Sequence, residues 1–290
     1  MHNFFQFVVG GLGFGGIYAL AALGLVLIFK TSGVVNFAFG AMATAVTLIL
    51  WSLLSSGLPL AIAWVVAMLI AMMIGAVSNQ VLLRRVERSP VLIQIVLTLG
   101  LLILIEGLAG LIWGYGPKSI PQAASGTPVN LASFLITPEV LFIIGLTVAI
   151  GLALFVVFEH TGTGLAMRAI AADREVASLM GVRTQRYVTA SWALGVALSG
   201  IAAILVAPTL GLDPTMMDQV AVFAFAAAIL GGFGSLAGAV VGGFLIGVSS
   251  NLIAAYVSTN LQLTLIFLAI VVLLYIRPEG LFGVRETSRQ

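Results

Sequence analysis

Long apolar runs, bounded by proline, glycine or a few polar residues, are the feature that most limits how this chain can fold. Most of these runs reach the ~20 residues that a helix needs to cross the hydrocarbon core of a bilayer. Only 8% of the residues are charged, against roughly 25% in soluble domains. The sequence therefore predicts an all-α integral membrane protein with about eight to nine transmembrane helices in one domain, 1–290. The predicted spans are 5–29, 36–55, 59–82, 90–113, 139–158, 188–207, 217–232, 236–256 and 261–276.

Basic residues cluster in three polar segments between or after these runs. They are Arg84, Arg85 and Arg88 in a short loop, Arg168, Arg174, Arg183 and Arg186 in the segment 159–187, and Arg277, Arg285 and Arg289 in the tail 277–290. Because cytoplasmic loops carry an excess of Lys and Arg, all three are predicted to be cytoplasmic. The loops 114–138 and 208–216 are then outside. Nine spans place the N-terminus outside, whereas eight follow if one glycine-rich run is re-entrant; the first run is too long for a signal peptide and is interpreted as a retained span.

The segment 159–187 also carries helix signals. Thr161 to Gly164 offers a helix start, Asp173 can cap a second short helix, and Gly181 is a typical left-handed stop. Apolar residues at Met167, Ile170, Val176 and Leu179 give these helices an apolar face. We interpret the segment as a docking element for another protein; the alternative is a solvated loop.

Glycines form two clusters, one in the first span and one at 231–247. Gly234, Gly238 and Gly242 are spaced by four, as are Gly243 and Gly247, which is typical of close helix packing. Gly231, Gly232 and Gly234 can instead break a helix inside the membrane, beside a buried or water-filled pathway. Packing and a helix break both remain open for this cluster.

Polar residues inside the spans are few, and Glu106 is the only acid well inside one. An ion-coupled carrier usually needs paired ionisable groups near the midplane, so a proton relay is not favoured. Glu106 can contact a substrate ammonium or form a helix–helix hydrogen bond. The candidate pathway residues are Asn36, Phe37, Phe39, Gln94, Thr98, Glu106 and Asn251.

Catalytic motifs are missing from the sequence. Without cysteine, no thiolate nucleophile or disulfide is possible, and the two histidines lack metal-ligand spacing. No phosphate-binding G-x-x-x-x-G-K-[ST] occurs. We therefore predict no enzyme activity, metal or cofactor, and any ATP hydrolysis must occur in another subunit.

Five motifs in order carry a family resemblance over nearly the whole chain. They are Tyr18–Leu25 with Gly33–Ala38, Trp113-Gly114 with Lys118–Pro121, Gly164–Ala169 through Ala177 and Gly181-Val182, Ile229–Ala239, and Arg277–Gly283. With them the chain resembles the permease subunits of branched-chain amino acid ABC transporters, the LivH type.

The resemblance implies a type II importer fold in the bacterial inner (plasma) membrane. It also implies a second related permease subunit, in a heterodimer, two ABC ATPase subunits and a periplasmic solute-binding protein; no nucleic-acid partner is expected. The segment 159–187 would then be the coupling segment that docks on an ATPase. Its docking residues would be Gly164, Met167, Arg168, Ile170, Asp173, Val176, Ala177, Leu179 and Gly181.

The first motif departs from the family in one respect. Members often carry His or Gln and then an acid around its glycine, where this chain has Phe39 and Ala41. Branched-chain or related small amino acids are the expected solute. An amide, urea, another small carboxylate or a ribose-type sugar are alternatives within the same class of importer, and a secondary carrier, a membrane enzyme or a structural protein are alternatives outside it.

Overall fold

The computed structural model describes residues 2–87, 89–124, 126–131 and 134–283. Helices dominate these residues, as predicted. Nine of the helices in the described part of the chain are apolar and follow the predicted spans. They are α1 (His2–Ser32), α2 (Phe39–Ser55), α3 (Leu60–Val77), α5 (Val91–Trp113), α6 (Pro138–His160), α9 (Thr184–Leu210), α10 (Met217–Gly231), α11 (Leu236–Tyr256) and α12 (Gln262–Ile276).

Six of these helices are long and apolar enough to cross a membrane: α1, α3, α5, α6, α9 and α11. The other three are apolar but shorter. At a rise of 1.5 Å per residue, the 15 residues of α10 extend about 22 Å, less than the ~30 Å hydrocarbon core. The all-helical membrane class and a count of about eight to nine agree with this arrangement, and the short helices need their neighbours to complete a crossing.

The buried centre of the molecule is α1, which contacts α6, α9, α10 and α11. Every side chain from Ala19 to Leu23 is fully buried. Small residues let the neighbours approach: a Cβ on Gly24 would lie 2.5 Å from the Gly195 carbonyl oxygen of α9. Because lipid tails are as apolar as Leu, such close backbone packing, rather than hydrophobicity alone, holds membrane helices together.

The outer helices α3, α5 and α6 present apolar side chains to their surroundings. In α5, Leu92, Ile103 and Leu111 are 70%, 69% and 84% exposed. On a water-soluble protein such a surface would be a liability, but hydrocarbon or another membrane subunit covers it at no cost. These helices form the periphery of the subunit.

The two long loops predicted to be outside lie against each other. Lys118 and Leu212 exchange backbone hydrogen bonds of 2.9 Å in both directions, and the Lys118 ammonium lies 5.5 Å from the centre of the Trp51 ring. The first loop also contains an antiparallel hairpin, β1 (Val129–Leu131) with β2 (Phe134–Ile136). This hairpin was not predicted, because three-residue strands leave no periodic signal.

The α3–α5 connection departs from a simple loop. A π-helical turn, Ser78–Leu83, continues α3 and is followed by α4 (Arg84–Val86). The π-turn widens the helix and often occurs at functional positions. Its Asn79 side chain donates a 2.8 Å hydrogen bond to the Thr189 hydroxyl of α9, which fixes this end of α3 to α9.

A helix ends at Gly231 and Gly232, which corresponds to the break that the sequence left open beside close packing. α10 ends at Gly231, and Gly232 has a φ of +97°. The tail after α12 folds back on this end: the backbone N–H groups of Leu281 and Phe282 donate to the carbonyls of Leu230 and Gly231 at 2.9 and 3.0 Å. The tail thereby satisfies carbonyl groups that a helix end otherwise leaves without partners. Arg285 and Arg289 lie outside the described residues.

Candidate functional site

Two short helices, α7 (Gly162–Ala172) and α8 (Arg174–Leu179), connect the spans α6 and α9. The Thr161 hydroxyl accepts a 3.2 Å hydrogen bond from the Gly164 N–H. Asp173 caps α8 by accepting from the N–H groups of Glu175 and Val176, both at 2.9 Å. The predicted helix starts are therefore confirmed by their cap hydrogen bonds.

α8 ends in a Schellman motif. The N–H of Gly181 donates to the Ser178 carbonyl and that of Val182 to the Ala177 carbonyl, each at 3.0 Å. Gly181 has the predicted left-handed backbone, with a φ of +86°. This geometry turns the chain back toward α9 within four residues.

The predicted docking residues divide into an inner and an outer set. Met167, Ile170 and Ala177 are 3%, 4% and 2% exposed and pack against the chain itself. Gly164 belongs with them, because a Cβ there would lie 2.2 Å from the Phe158 carbonyl oxygen of α6. These residues hold the segment to the membrane helices.

The outer set is apolar and open. Leu165, Val176, Leu179 and Met180 are 62%, 50%, 86% and 80% exposed, on a segment with arginines and acids nearby. We call these four residues the apolar coupling face. Only Val176 and Leu179 among them were predicted, because the sequence alone does not fix which side of a short helix rests on the chain.

Two ion pairs hold the segment in place. Arg168 pairs with Glu159 at the end of α6, and Arg174 pairs with Glu87, beyond α4. Arg174 also donates a 3.1 Å hydrogen bond to the Gln185 side-chain carbonyl of α9. Through Arg174 the segment therefore contacts two separate parts of the membrane domain.

Four predicted pathway residues lie at or next to the connection between α1 and α2. Asn36 is fully buried, and its side-chain carbonyl accepts a 3.0 Å hydrogen bond from the Ala38 N–H. Phe37 stacks on Phe225 of α10 at 5.2 Å, and Phe39 meets the edge of the same ring at 5.4 Å. Thr98 of α5 donates to the carbonyls of Ile95 at 2.9 Å and Val35 at 3.5 Å.

Gln94 lies at the start of α5, one helical turn before Thr98, and lines a small pocket with Ser32 and Val34. Its amide donates to the carbonyls of Ser89 at 2.9 Å and Glu87 at 3.3 Å. These bonds close the α4–α5 connection. These hydrogen bonds give Gln94 a structural role that does not require contact with a solute.

Glu106 and Asn251 lie near the opposite end of the helices. The Glu106 carboxyl lies near that of Asp218, in the first turn of α10. Asn251 donates to the Phe7 carbonyl and lines a cavity of about 150 Å³. The cavity's other polar lining residues are Tyr18, Gln219, Ser250 and Gln262.

Sequence reasoning missed these partners of Glu106 and Asn251. Asp218 and Gln219 fall at the start of the predicted span 217–232, but the sequence alone does not show which side chains of distant spans meet. The signal that could have found them is their placement at the outer end of a span, level with Glu106 in the predicted topology. Among the described residues, no group of three or more His, Cys, Asp or Glu side chains could share a metal ion.

The predicted packing glycines are in close contact at most positions. A Cβ on Gly238 would lie 2.2 Å from the Gly231 carbonyl oxygen, and one on Gly242 would lie 2.2 Å from that of Ala227. Gly234 differs, since a Cβ there would meet nothing within 4 Å. Gly238 and Gly242 thus allow α10 and α11 to pack closely, and Gly231 lies both in this contact and at the end of α10.

Comparison with known proteins places these features in a family. The family model described as "Branched-chain amino acid transport system / permease component" matches residues 7–276. The chain is similar to the high-affinity branched-chain amino acid transport system permease protein LivH of Salmonella typhimurium, at 28% identity over 99% of this chain and 97% of the relative. No solved structure matches.

Two further relatives extend the comparison. BraD of Pseudomonas aeruginosa, a high-affinity branched-chain amino acid transport system permease protein, is 27% identical over 100% of this chain and 99% of the relative. A probable branched-chain amino acid transport permease protein LivH of Methanocaldococcus jannaschii is 27% identical over 95% and 91%. The predicted multi-pass inner-membrane permease agrees with these relatives and with the six long spans. The family model covers most of the chain, and the protein therefore belongs to the family of branched-chain amino acid transport system permease components.

Proposed function

We propose that this chain is the permease subunit of an ATP-binding-cassette importer and forms the pathway for branched-chain or related small amino acids. A periplasmic binding protein delivers the solute, two separate ATPase subunits hydrolyse ATP, and a second, related permease subunit completes the pathway as a heterodimer. The chain itself is not an enzyme. Family membership supports the transport role, and the apolar coupling face is the observation that supports an ATPase partner.

The coupling face is suited to docking because it is apolar, exposed and held rigidly. Leu179 and Met180 stand at the end of a helix that is capped at both ends. Burying a Leu or Met side chain contributes roughly 1.5–3 kcal/mol, so the four residues can supply much of the energy of a protein contact. A groove on an ATPase that takes up these side chains would move α6 and α9 when it closes.

The pathway is proposed to run from the Glu106–Asp218 carboxyls and the Asn251 cavity to the α1–α2 junction. Carboxyl groups at one end suit the ammonium of an amino acid. The rings of Phe37, Phe39 and Phe225 at the other end offer an apolar surface for a branched side chain. Non-helical backbone commonly lines solute sites in transporters, and residues 33–38 between α1 and α2 are non-helical.

The experiment that tests this function is solute uptake by the purified assembly. The tagged chain is isolated with its co-purifying subunits, reconstituted in liposomes and supplied with its binding protein. We expect uptake of radiolabelled leucine that requires ATP and is inhibited by isoleucine and valine. Uptake of urea, an amide or ribose in place of leucine would contradict the solute, and uptake driven by an ion gradient without ATP would contradict the importer class.

A further inference from the structure

A groove on the side of the molecule that is predicted to be cytoplasmic is lined by two arginines that the proposed transport function does not use. It has a volume of about 580 Å³ and lies between the start of α7 and the start of α9. We call it the arginine groove. Residues that define it are Thr163, Ala166, Val182, Arg183, Arg186 and Tyr187.

The groove carries two positive charges without compensation. Arg183 and Arg186 are exposed, and in the described part of the chain neither side chain forms an ion pair or a hydrogen bond. Arg168 and Arg174, in the same segment, are both paired with glutamates. No acidic residue lines the groove, so its charge is complementary to an anion.

The position of the groove, at the ends of two membrane spans, is a second observation that bears on its ligand. The chain leaves the span α6 at His160, and Thr163 follows three residues later; Arg183 immediately precedes the next span, α9. The 27 residues of α9 extend about 40 Å, which exceeds a ~30 Å hydrocarbon core. Because Arg183 and Arg186 lie at its start, we expect the first turns to be the part among the lipid headgroups. Tyr187 in this turn is typical of a membrane–water interface.

The remaining wall of the groove is apolar, with Ala166, Val182 and Ala190. A ligand that fits has an anionic head and an apolar body, and it reaches the groove from the plane of the membrane. We propose that the arginine groove binds an anionic phospholipid of the cytoplasmic leaflet, with its phosphate between Arg183 and Arg186. Guanidinium groups bind phosphate oxygens through paired hydrogen bonds, and basic pockets between membrane helices bind anionic headgroups.

The bound lipid would have a structural effect. It would contact the beginning of α7 through Thr163 and Ala166 and the beginning of α9 through Arg186 and Tyr187. Both ends of the coupling segment would then be fixed to the membrane surface through one lipid molecule.

The test is lipid binding to the complete purified complex. The complex is delipidated in mild detergent and titrated with dioleoyl phosphatidylglycerol or dioleoyl phosphatidylcholine, and bound lipid is counted by native mass spectrometry. We expect a preference for phosphatidylglycerol that falls about thirtyfold in Arg183→Gln/Arg186→Gln, which corresponds to about 2 kcal/mol for two basic residues. The matched control is Arg84→Gln/Arg85→Gln, in the other short cytoplasmic loop, which should keep the preference.

Each other outcome counts against the proposal. Equal losses in the two double variants would show a general effect of surface charge and no site. Unchanged lipid binding with loss of the ATPase subunits from Arg183→Gln/Arg186→Gln would assign the groove to an acidic protein surface. Equal binding of phosphatidylglycerol and phosphatidylcholine by the unmodified complex would also overturn it, whatever solute the complex transports.

Discussion

Gly247 of α11 and Gly15 of α1 face each other so closely that a Cβ on Gly247 would lie 2.2 Å from the Gly15 Cα. The contact continues one turn away, where a Cβ on Gly243 would lie 2.4 Å from the Ala19 Cα. The clashing atoms belong to backbones, which cannot move without displacing a whole helix. Contact between α1 and α11 therefore depends on the absence of side chains at these positions.

Replacing Gly247 should destabilise the fold. Gly247→Leu places a side chain where none fits, and overpacking of this kind typically costs about 1–3 kcal/mol. We expect less folded chain after extraction and a lower melting temperature, measured by size-exclusion chromatography after heating. Gly145→Leu in α6, where a Cβ meets nothing within 4 Å, is the control and should melt like the unmodified chain. If Gly247→Leu and Gly145→Leu lower the melting temperature equally, the α1–α11 contact does not determine the stability of the fold.

A charge on the apolar coupling face should uncouple transport. Leu179→Asp adds a carboxylate to a surface that we propose is buried against an ATPase, where an unpaired charge is costly. We expect normal abundance of the chain in membranes but strongly reduced ATPase co-purification and leucine uptake. Leu179→Asp tests the docking surface more directly than a substitution of Ala177 would. Ala177 is buried in the chain itself, and its replacement would disturb α8.

Ala172→Asp is the matched control for this experiment. Ala172 is exposed at the end of α7 but outside the apolar coupling face. The Ala172→Asp variant should leave ATPase co-purification and leucine uptake nearly unchanged. Full uptake by Leu179→Asp would remove the docking role of the face.

The left-handed backbone at Gly181 gives a graded prediction. A β-branched residue is strained at positive φ, whereas Asn tolerates it better, and glycine is worth on the order of 1 kcal/mol at such a position. Gly181→Val should therefore reduce ATPase co-purification more than Gly181→Asn, at similar abundance in the membrane. Identical behaviour of the two variants would show that the end of α8 does not position the coupling face.

The Arg174–Glu87 pair predicts a rescue. Arg174→Glu brings two carboxylates together and should loosen the coupling segment from the end of α4, with reduced uptake per ATP hydrolysed. Adding Glu87→Arg restores opposite charges and should recover most of the loss. Because the side chains are 28% and 33% exposed, we expect an effect near the ~1 kcal/mol upper end for exposed pairs. If the double variant Arg174→Glu/Glu87→Arg does not recover the uptake per ATP hydrolysed, Arg174 has a role other than pairing with Glu87.

Topology can be tested by labelling single cysteines in this cysteine-free chain. Gln122→Cys, in the exposed outer loop, should react with a membrane-impermeant thiol reagent in intact cells. Ala172→Cys should react only after the membrane is opened, because the basic segment around it is predicted to be cytoplasmic. Labelling of Ala172→Cys in intact cells would reverse the orientation.

Much of the fold was predictable from local signals. Apolar runs that begin at Pro59 or Pro90, or that end at Gly232, locate the helices to within a few residues, because proline and glycine mark helix boundaries wherever the rest of the chain lies. Thr161, Asp173 and Gly181 act through backbone groups two to four residues away, so their roles follow from sequence alone. Helix rotation does not, since it depends on packing against distant elements. For that reason the sequence did not separate buried Met167 from exposed Leu165, or bring Asp218 to Glu106.

The fold-back of the tail onto α10 has a consequence for biosynthesis. Among the described residues, the carbonyl groups of Leu230 and Gly231 accept hydrogen bonds from the backbone N–H groups of Leu281 and Phe282, which leave the ribosome some fifty residues later. At about 5–20 residues per second, that interval is roughly 3–10 s. During it the end of α10 must rely on water or on the insertion machinery for hydrogen bonds. A nascent chain stalled before residue 281 would carry the spans but would lack the backbone groups that hydrogen-bond to the end of α10.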